Sequence, residues 1–180
     1  MRSEAVPEFM RFVATDAAAL AVAIESAREK LAAAETSTDA AAVIEHTADL
    51  GSMLTTARQE ATALQLLRKH EALAQSLSGV EPVAWYWNAL ATALQYCNKR
   101  EVAEAYFERA VSTARAEGWA RIEAMALHHW GRSLVEQGRL IEAESRIEQA
   151  LAIRESLGER QESSRSALLK IAHLRVAGAA

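Results

Sequence analysis

A repeat with a period of 40 residues is the feature that most restricts how this chain can fold. Residues 83–114 align with residues 123–154 without a gap, and apolar or small residues coincide along both halves. The matched pairs are, in chain order, Trp87 with Leu127, Leu90 with Trp130, Ala91 with Gly131, Leu94 with Leu134, Ala103 with Ala143, Phe107 with Ile147 and Ala110 with Ala150. A fixed period between 20 and 50 residues is typical of repeat architectures, so we expect a stack of similar units.

Each unit has the pattern of two helices joined by a short turn. Ala103, Phe107 and Ala110 are spaced 4 and then 3 residues apart, which places them on one face of a helix. Polar or glycine pairs interrupt the apolar pattern at equivalent points, namely Arg58-Gln59, Asn98-Lys99 and Gly138-Arg139. Glycines that suit a left-handed helix cap follow the second helices at Gly79, Gly118 and Gly158. The pattern therefore predicts helical hairpins with further turns between them.

An earlier and less regular copy precedes these two repeats. Leu50, Gly51 and Leu54 match the first helix of the later copies, and Ala63 and Leu67 match the second. His70, however, stands where the later copies have the small residues Ala110 and Ala150. We expect the fold of this copy to depart from the others near that histidine.

The repeats predict one domain over residues 1–180 with distinct ends. Residues 39–79, 80–119 and 120–159 form three repeats, and residues 160–180 form a capping helix. The apolar spacing from Phe9 to Leu31 favours either one long helix or a degenerate hairpin over residues 1–38, and Thr15-Asp16 suits the start of a second helix.

Composition argues against several classes of function. The 20 Lys and Arg residues are scattered among 24 acidic residues, so no basic stripe marks a nucleic-acid site. The single cysteine, Cys97, cannot form an intramolecular disulfide and suits a reducing compartment. His128 and His129 are adjacent, and adjacent helical residues point about 100° apart, so they do not form a metal-ligand pair. We predict a cytoplasmic protein without metal, cofactor, membrane span or enzymatic activity.

The pattern Leu127, Trp130-Gly131, Leu134, Ala143, Ile147 and Ala150 resembles the tetratricopeptide repeat family. The period is six residues longer than the nominal 34 of that family, leucine replaces tyrosine at Leu54, Leu94 and Leu134, and no proline ends the second helices. The closer similarity is to longer-helix variants, which occur in many bacterial regulators and adaptors. The resemblance implies an all-α, right-handed solenoid of antiparallel helix hairpins.

The resemblance also implies where a partner binds. First helices of such hairpins line a concave groove, and the inward positions here are Trp85, Asn88, Thr92, Tyr96, Met125, His128, Arg132 and Glu136. Trp85 and Trp87 lie two residues apart and face different directions, so we expect one in the groove and one in the core. This assignment makes Arg132 available to a protein or peptide and unnecessary for stability, whereas a bulky residue in place of Ala143 would destabilise the fold.

Two other functions stay open at this point. A terminal hairpin or the N-terminal helix of the solenoid could pair with a second copy of the chain, giving a homo-oligomer. Alternatively, the groove could form a small-ligand or catalytic pocket around His128 and Arg132, although no nucleophile motif or phosphate loop accompanies them. We favour an adaptor or regulatory scaffold that binds a protein or peptide in its groove.

Overall fold

A computed structural model describes residues 8–178 of the chain. The first seven residues of the predicted N-terminal unit and the last two of the predicted cap, 179–180, lie outside the described residues. The described part is all-helical, which confirms the predicted fold class. Its helices are α1 (Ala17–Ser37), α2 (Ala40–Thr56), α3 (Glu60–Lys69), α4 (Glu71–Ser76), α5 (Glu81–Tyr96), α6 (Arg100–Ala116), α7 (Ala120–Glu136), α8 (Leu140–Leu157) and α9 (Gln161–Gly178).

The helices pack in chain order into hairpins. α5 packs with α6 and α7 with α8, while α2 packs with α3 in the less regular first repeat. Successive repeats join because α5 also contacts α2 and α7, and α6 contacts α7. α1 packs on α2 at one end, and α9 packs on α8 at the other. No helix within residues 8–178 has the length and hydropathy needed to cross a bilayer.

The turns inside the hairpins share one geometry, as the 40-residue period predicts. Arg58, Asn98 and Gly138 have left-handed backbones with φ of 61°, 60° and 74°. The backbone N–H of the next residue donates to the carbonyl of the leucine five positions earlier, in the pairs Gln59 with Leu54 at 2.9 Å, Lys99 with Leu94 at 2.9 Å and Arg139 with Leu134 at 3.0 Å. These bonds satisfy carbonyls that a helix end otherwise leaves without partners.

Small residues allow the two helices of a hairpin to approach closely. A Cβ at position 131 would lie 3.0 Å from the carbonyl oxygen of Ala143, so a side chain there would collide with α8. Ala143 itself is fully buried, as are Ala103 and Ala63 at the equivalent positions. The core is close-packed at this contact and has no room for additional methylene groups.

The first repeat departs from the others at His70, as the sequence indicates. Its second helix is divided into α3 and α4, and His70 ends one and precedes the other. The imidazole Nδ1 lies 3.2 Å from the Thr47 hydroxyl, and Nε2 lies 3.1 Å from a carboxylate oxygen of Glu35. A bulky polar side chain occupies the position that small residues fill in α6 and α8. The local geometry changes to accommodate it.

At the N-terminal end of the described residues, a non-helical stretch precedes the first helix. α1 is a single long helix, and the Asp16 carboxylate caps it by accepting a hydrogen bond from the Ala19 N–H at 2.8 Å. The residues before Asp16 that the structure describes are not helical. We call residues 8–13 the N-terminal segment. Phe9 and Val13 lie in this non-helical segment and not on the helix that their spacing suggested.

Replacing Ala143 by leucine should lower the free energy of unfolding by about 1–3 kcal/mol, because three additional carbon atoms must fit into a close-packed contact. Urea denaturation followed by circular dichroism measures the change. Ser145→Leu is the control, since Ser145 is exposed on the same helix and should tolerate leucine with little change. Equal stability of both variants would contradict the close approach of α7 and α8.

Candidate functional site

The N-terminal segment lies across the ends of α5 and α7, on the positions predicted to form the groove. The Phe9 N–H donates to a Glu136 carboxylate oxygen at 3.3 Å, and the Phe12 N–H donates to the Tyr96 hydroxyl at 2.8 Å. Arg132 Nε donates to the Phe9 carbonyl at 3.4 Å. Three of the predicted groove residues thus bind the backbone of the chain's own N-terminus.

Arg11 makes the strongest contact of the segment. Its Nε and Nη2 atoms donate to the two carboxylate oxygens of Glu136 at 2.8 and 2.7 Å, and the side chains are only 3% and 0% exposed. The guanidinium also donates to the carbonyls of Gln95 and Tyr96 at 3.3 Å, at the end of α5. A bidentate ion pair and a helix C-terminus both favour a cation at this position.

Glu136 is the centre of a larger charged cluster. Arg100 Nε donates to it at 2.8 Å, and the Gln95 side-chain amide donates at 3.0 Å. Burial alone would raise the pKa of the Glu136 carboxyl, but hydrogen bonds and charge from Arg11 and Arg100 lower it below its ordinary value. Glu136 is therefore an ionised, fully partnered acceptor for the arginine of the segment.

The segment also contacts the first repeat. The two carboxylate oxygens of Glu8 accept hydrogen bonds from the Arg58 guanidinium at 2.9 Å, in the turn between α2 and α3. This pair is exposed and should contribute little on its own. Together with the contacts at Tyr96 and Glu136, it places one short stretch of chain against three successive repeats.

Phe12 completes the contacts at the outer edge of the segment. Its ring centroid lies 5.6 Å from that of His129, and the Arg132 guanidinium carbon lies 4.6 Å from the ring centroid. Phe12 is nevertheless 47% exposed, so one side of the ring faces solvent. The segment is anchored by its backbone and by Arg11 rather than by burial of this aromatic ring.

The eight predicted groove residues lie near one another but are not an open surface. Trp85 is half-buried and donates from its indole N–H to Asp49 at 2.9 Å, and Met125 is also half-buried. The other six are buried: Asn88, Thr92, Tyr96, His128, Arg132 and Glu136. Trp87, expected in the core, is 1% exposed. Arg132 is 2% exposed and bonded to the segment, which corrects the expectation that its side chain is open to a partner.

Sequence reasoning missed Arg11 and the segment that carries it. The spacing of Phe9 and Val13 suggested a helical face, whereas the capping residue Asp16 marks where the helix begins. That capping signal was available, because an aspartate before an apolar-periodic stretch favours non-helical backbone at its own position. The pairing with Glu136 has no local signal, since 125 residues separate the two side chains.

The two adjacent histidines are neutral structural groups. His128 Nδ1 lies 3.2 Å from the Ser164 hydroxyl, and His129 Nδ1 lies 3.2 Å from the Thr92 hydroxyl. Burial, with the nearby positive charges of Arg154 and Arg132, lowers the pKa of His128 to about 3. Burial also lowers the pKa of His129 well below its ordinary value. Within residues 8–178, no cluster of three His, Cys, Asp or Glu side chains is arranged to hold a metal ion.

Comparison with known proteins bears on the fold more than on the site. Residues 83–117 and 124–160 match a family model described as Tetratricopeptide repeat. A crystal structure of BtubC (BKLC) from P. vanneervenii superposes with a TM-score of 0.65 and 17% sequence identity. The match covers 88% of this chain and 65% of that chain, so this chain spans about two thirds of its length. At this identity the likeness shows the fold alone. No curated protein matches the sequence significantly.

Acidification should destabilise the fold through His128. Its pKa is 6.5 when unperturbed and about 3 in the folded chain, so the unfolded chain binds the proton more readily. Stability is therefore complete above pH 6.5 and falls as the pH drops towards 3. Between pH 7 and pH 5, protonation of this residue in the unfolded chain should lower the free energy of unfolding by about 2 kcal/mol. In urea denaturation, His128→Gln should lose less stability than the wild type between these two pH values. His173→Gln, a change at an exposed position, should lose as much as the wild type.

Replacing Glu136 by glutamine should release the N-terminal segment, because Arg11 would lose the carboxylate that binds it. Trypsin should then cleave after Arg11 faster than in the wild type, as measured by mass spectrometry of short digests. Lys30, which is exposed within α1, is the internal control. Faster cleavage after Arg11 alone indicates release of the segment, whereas faster cleavage after both residues indicates global unfolding. Glu142→Gln, which weakens an exposed pair with Arg139, should leave the rate at Arg11 unchanged. Equal rates in all three proteins would contradict the anchoring role of Glu136.

Proposed function

We propose that this chain, whose residues 83–117 and 124–160 match the tetratricopeptide repeat family, is an adaptor or regulator without catalytic activity. Repeats of this family generally mediate protein–protein interactions or scaffolding. The proposed binding surface is the face of α5 and α7 that carries Trp85, Asn88, Tyr96, Arg132 and Glu136. A cytoplasmic site of action is part of the proposal and is supported by the single cysteine.

The observation that carries the proposal is the N-terminal segment itself. Its contacts with Tyr96, Arg132 and Glu136 include two backbone N–H groups and one backbone carbonyl. Every peptide has such groups, so the side chains that bind this segment suit a segment of another protein. We propose that the partner presents a short stretch of chain to the same donors and acceptors.

The side chains of the segment suggest what the partner stretch carries. Glu136 lies in a bidentate pair with Arg11, and the geometry fits a guanidinium better than an ammonium group. The ring of Tyr96 lies 4.6 Å from the Arg11 guanidinium carbon and adds a cation–π contact. Arg132 offers a flat cation to an aromatic ring, as it does to Phe12. An arginine followed by an aromatic residue is therefore the proposed recognition element.

Partner binding would compete with the N-terminal segment for one surface. The segment is tethered to the domain, so its effective concentration at the groove is on the order of millimolar. A free peptide must overcome this advantage, and removal of the segment's own anchors should expose the site. The groove is thus regulated, since the N-terminal segment occupies it until a partner displaces the segment.

The test is binding of a synthetic peptide of residues 8–13, blocked at both ends and fluorescently labelled. Arg11→Ala combined with Phe12→Ala removes the two side chains of the segment that contact Glu136 and Arg132, which weakens the segment as a competitor while its backbone contacts remain. This double variant should bind the peptide at least about tenfold more tightly than the wild type. Adding Glu136→Gln should abolish that gain. Fluorescence anisotropy measures the affinity, and circular dichroism confirms that each variant is folded.

A matched control is the pair Val22→Ala and Arg28→Ala, which removes one apolar and one basic side chain from exposed positions of α1. It should bind the peptide no better than the wild type. Absence of peptide binding to a folded double variant would refute a peptide-binding groove. Light scattering distinguishes self-assembly from binding of another protein. If the mass of the wild type rises with concentration and that of the double variant does not, copies of the chain exchange their segments.

A further inference from the structure

A cavity of about 400 Å³ lies beside the N-terminal segment. Its walls come from α2, α5, α7, the end of α8 and the start of α9, and the segment supplies one side through Met10, Phe12 and Val13. Trp85 and Met125 add further apolar surface. Cavities of this size with apolar walls and a few converging polar groups are typical of small-molecule sites.

The charged groups of this cavity have one sign. Arg132, Arg154 and Arg160 line it, and no carboxylate is among its lining residues in the described part of the chain. The protein as a whole has a formal net charge of −4, so this local excess of positive charge is not a general property of its surface. A cavity lined by one sign of charge attracts a ligand of the opposite sign.

Two of the three arginines are buried against neutral groups. Arg154 is 8% exposed and donates to the hydroxyls of Ser163 and Ser164 at 2.8 and 2.7 Å. Arg132 donates to the Tyr96 hydroxyl at 3.2 Å and to the Phe9 carbonyl. Neither forms an ion pair with a carboxylate of residues 8–178. Burial lowers the pKa of both guanidinium groups, and at Arg132 the nearby charge of Glu136 offsets only part of this effect.

Asn88 supplies a second, independent sign of a ligand. It lines the cavity, is fully buried, and neither its amide oxygen nor its amide nitrogen has a hydrogen-bond partner among residues 8–178. The polar side chains beside it, Thr92 and His128, do have partners. A buried amide with both atoms unbonded is rare in native structures and destabilises the fold unless something binds it.

We propose that this cavity binds a small organic anion, in which a carboxylate or phosphate group is attached to an apolar body. The acidic group contacts Arg132 and Arg154, and the Asn88 amide donates to the same group or to a polar atom next to it. The apolar body lies against Trp85, Met125 and Phe12. This inference does not depend on the proposed peptide partner. Because the segment forms one wall, the anion would also favour the segment in its bound position.

Three probes cover the ligand class: 2-naphthoate, octanoate and phenyl phosphate, each with a neutral counterpart (2-naphthamide, octanamide and phenol). Titration calorimetry in a chloride buffer without phosphate measures binding to the full chain, and thermal melting measures stabilisation. We expect at least one anion to bind with a dissociation constant of about 0.01–1 mM and to raise the melting temperature. Its neutral counterpart should bind at least about tenfold more weakly.

Variants separate recognition of the anion from changes in the fold. Arg154→Met should weaken binding of that anion at least about tenfold, while Arg121→Gln, an exposed arginine on α7, should leave it unchanged. Asn88→Leu should raise the melting temperature of the unliganded protein and yet abolish binding, since leucine has a similar size and no unbonded amide. This opposite effect on stability and binding could not come from misfolding.

The alternative outcomes would overturn the proposal. Failure of all three anions to bind at millimolar concentration would exclude the ligand class. Equal binding of an anion and its neutral counterpart, or binding that survives both Arg154→Met and Asn88→Leu, would show that the charged groups do not recognise the ligand. A tetrapeptide ending in phenylalanine, with a free or amidated C-terminus, distinguishes the source: exclusive binding of its free-acid form would assign the cavity to a peptide terminus instead.

Discussion

The buried ion pair between Arg11 and Glu136 is the interaction on which the arrangement of the candidate site depends. Two charges removed from water cost several kcal/mol each in solvation, and only close geometry with further hydrogen bonds offsets that cost. Here the carboxylate is also bonded by Arg100 and Gln95, and the guanidinium by carbonyls at the end of α5. Loss of Glu136 would remove the buried carboxylate that pairs with Arg11, and loss of Arg11 would remove one of the two arginines that neutralise Glu136. We therefore expect this pair to contribute most to keeping the N-terminal segment bound.

Repeat proteins usually have contacts between neighbouring units alone, which makes their stability nearly a sum over units. The N-terminal segment changes this in the present chain. Glu8 bonds with Arg58 in the first repeat, Phe12 bonds with Tyr96 in the second, and Arg11 bonds with Glu136 in the third. A short stretch of chain thus links repeats that are otherwise connected only through the helices between them. Release of the segment would remove that link.

The parts of the fold that could be predicted from sequence are those specified by local pattern. The helices, the left-handed turns at Gly118 and Gly158 and the disturbance at His70 follow from spacing and from the properties of single residues. The candidate site could be predicted only in part. The resemblance to the tetratricopeptide family implied that Tyr96, Arg132 and Glu136 share a common face, but it could not supply the occupant of that face. The contact between Arg11 and Glu136 joins positions 125 residues apart, and no periodicity encodes such a pairing.

The divided second helix of the first repeat has a consequence for the order in which the chain folds. α3 and α4 span 10 and 6 residues, and helices this short are unstable in water without tertiary packing. The later hairpins have uninterrupted helices of 16 to 18 residues, so we expect the folding nucleus to form there and to extend towards the N-terminus. The N-terminal segment requires the finished ends of both α5 and α7, and it is then the last element to dock. During synthesis the segment leaves the ribosome before the repeats do, and Arg11 cannot pair with Glu136 until the third repeat has been made.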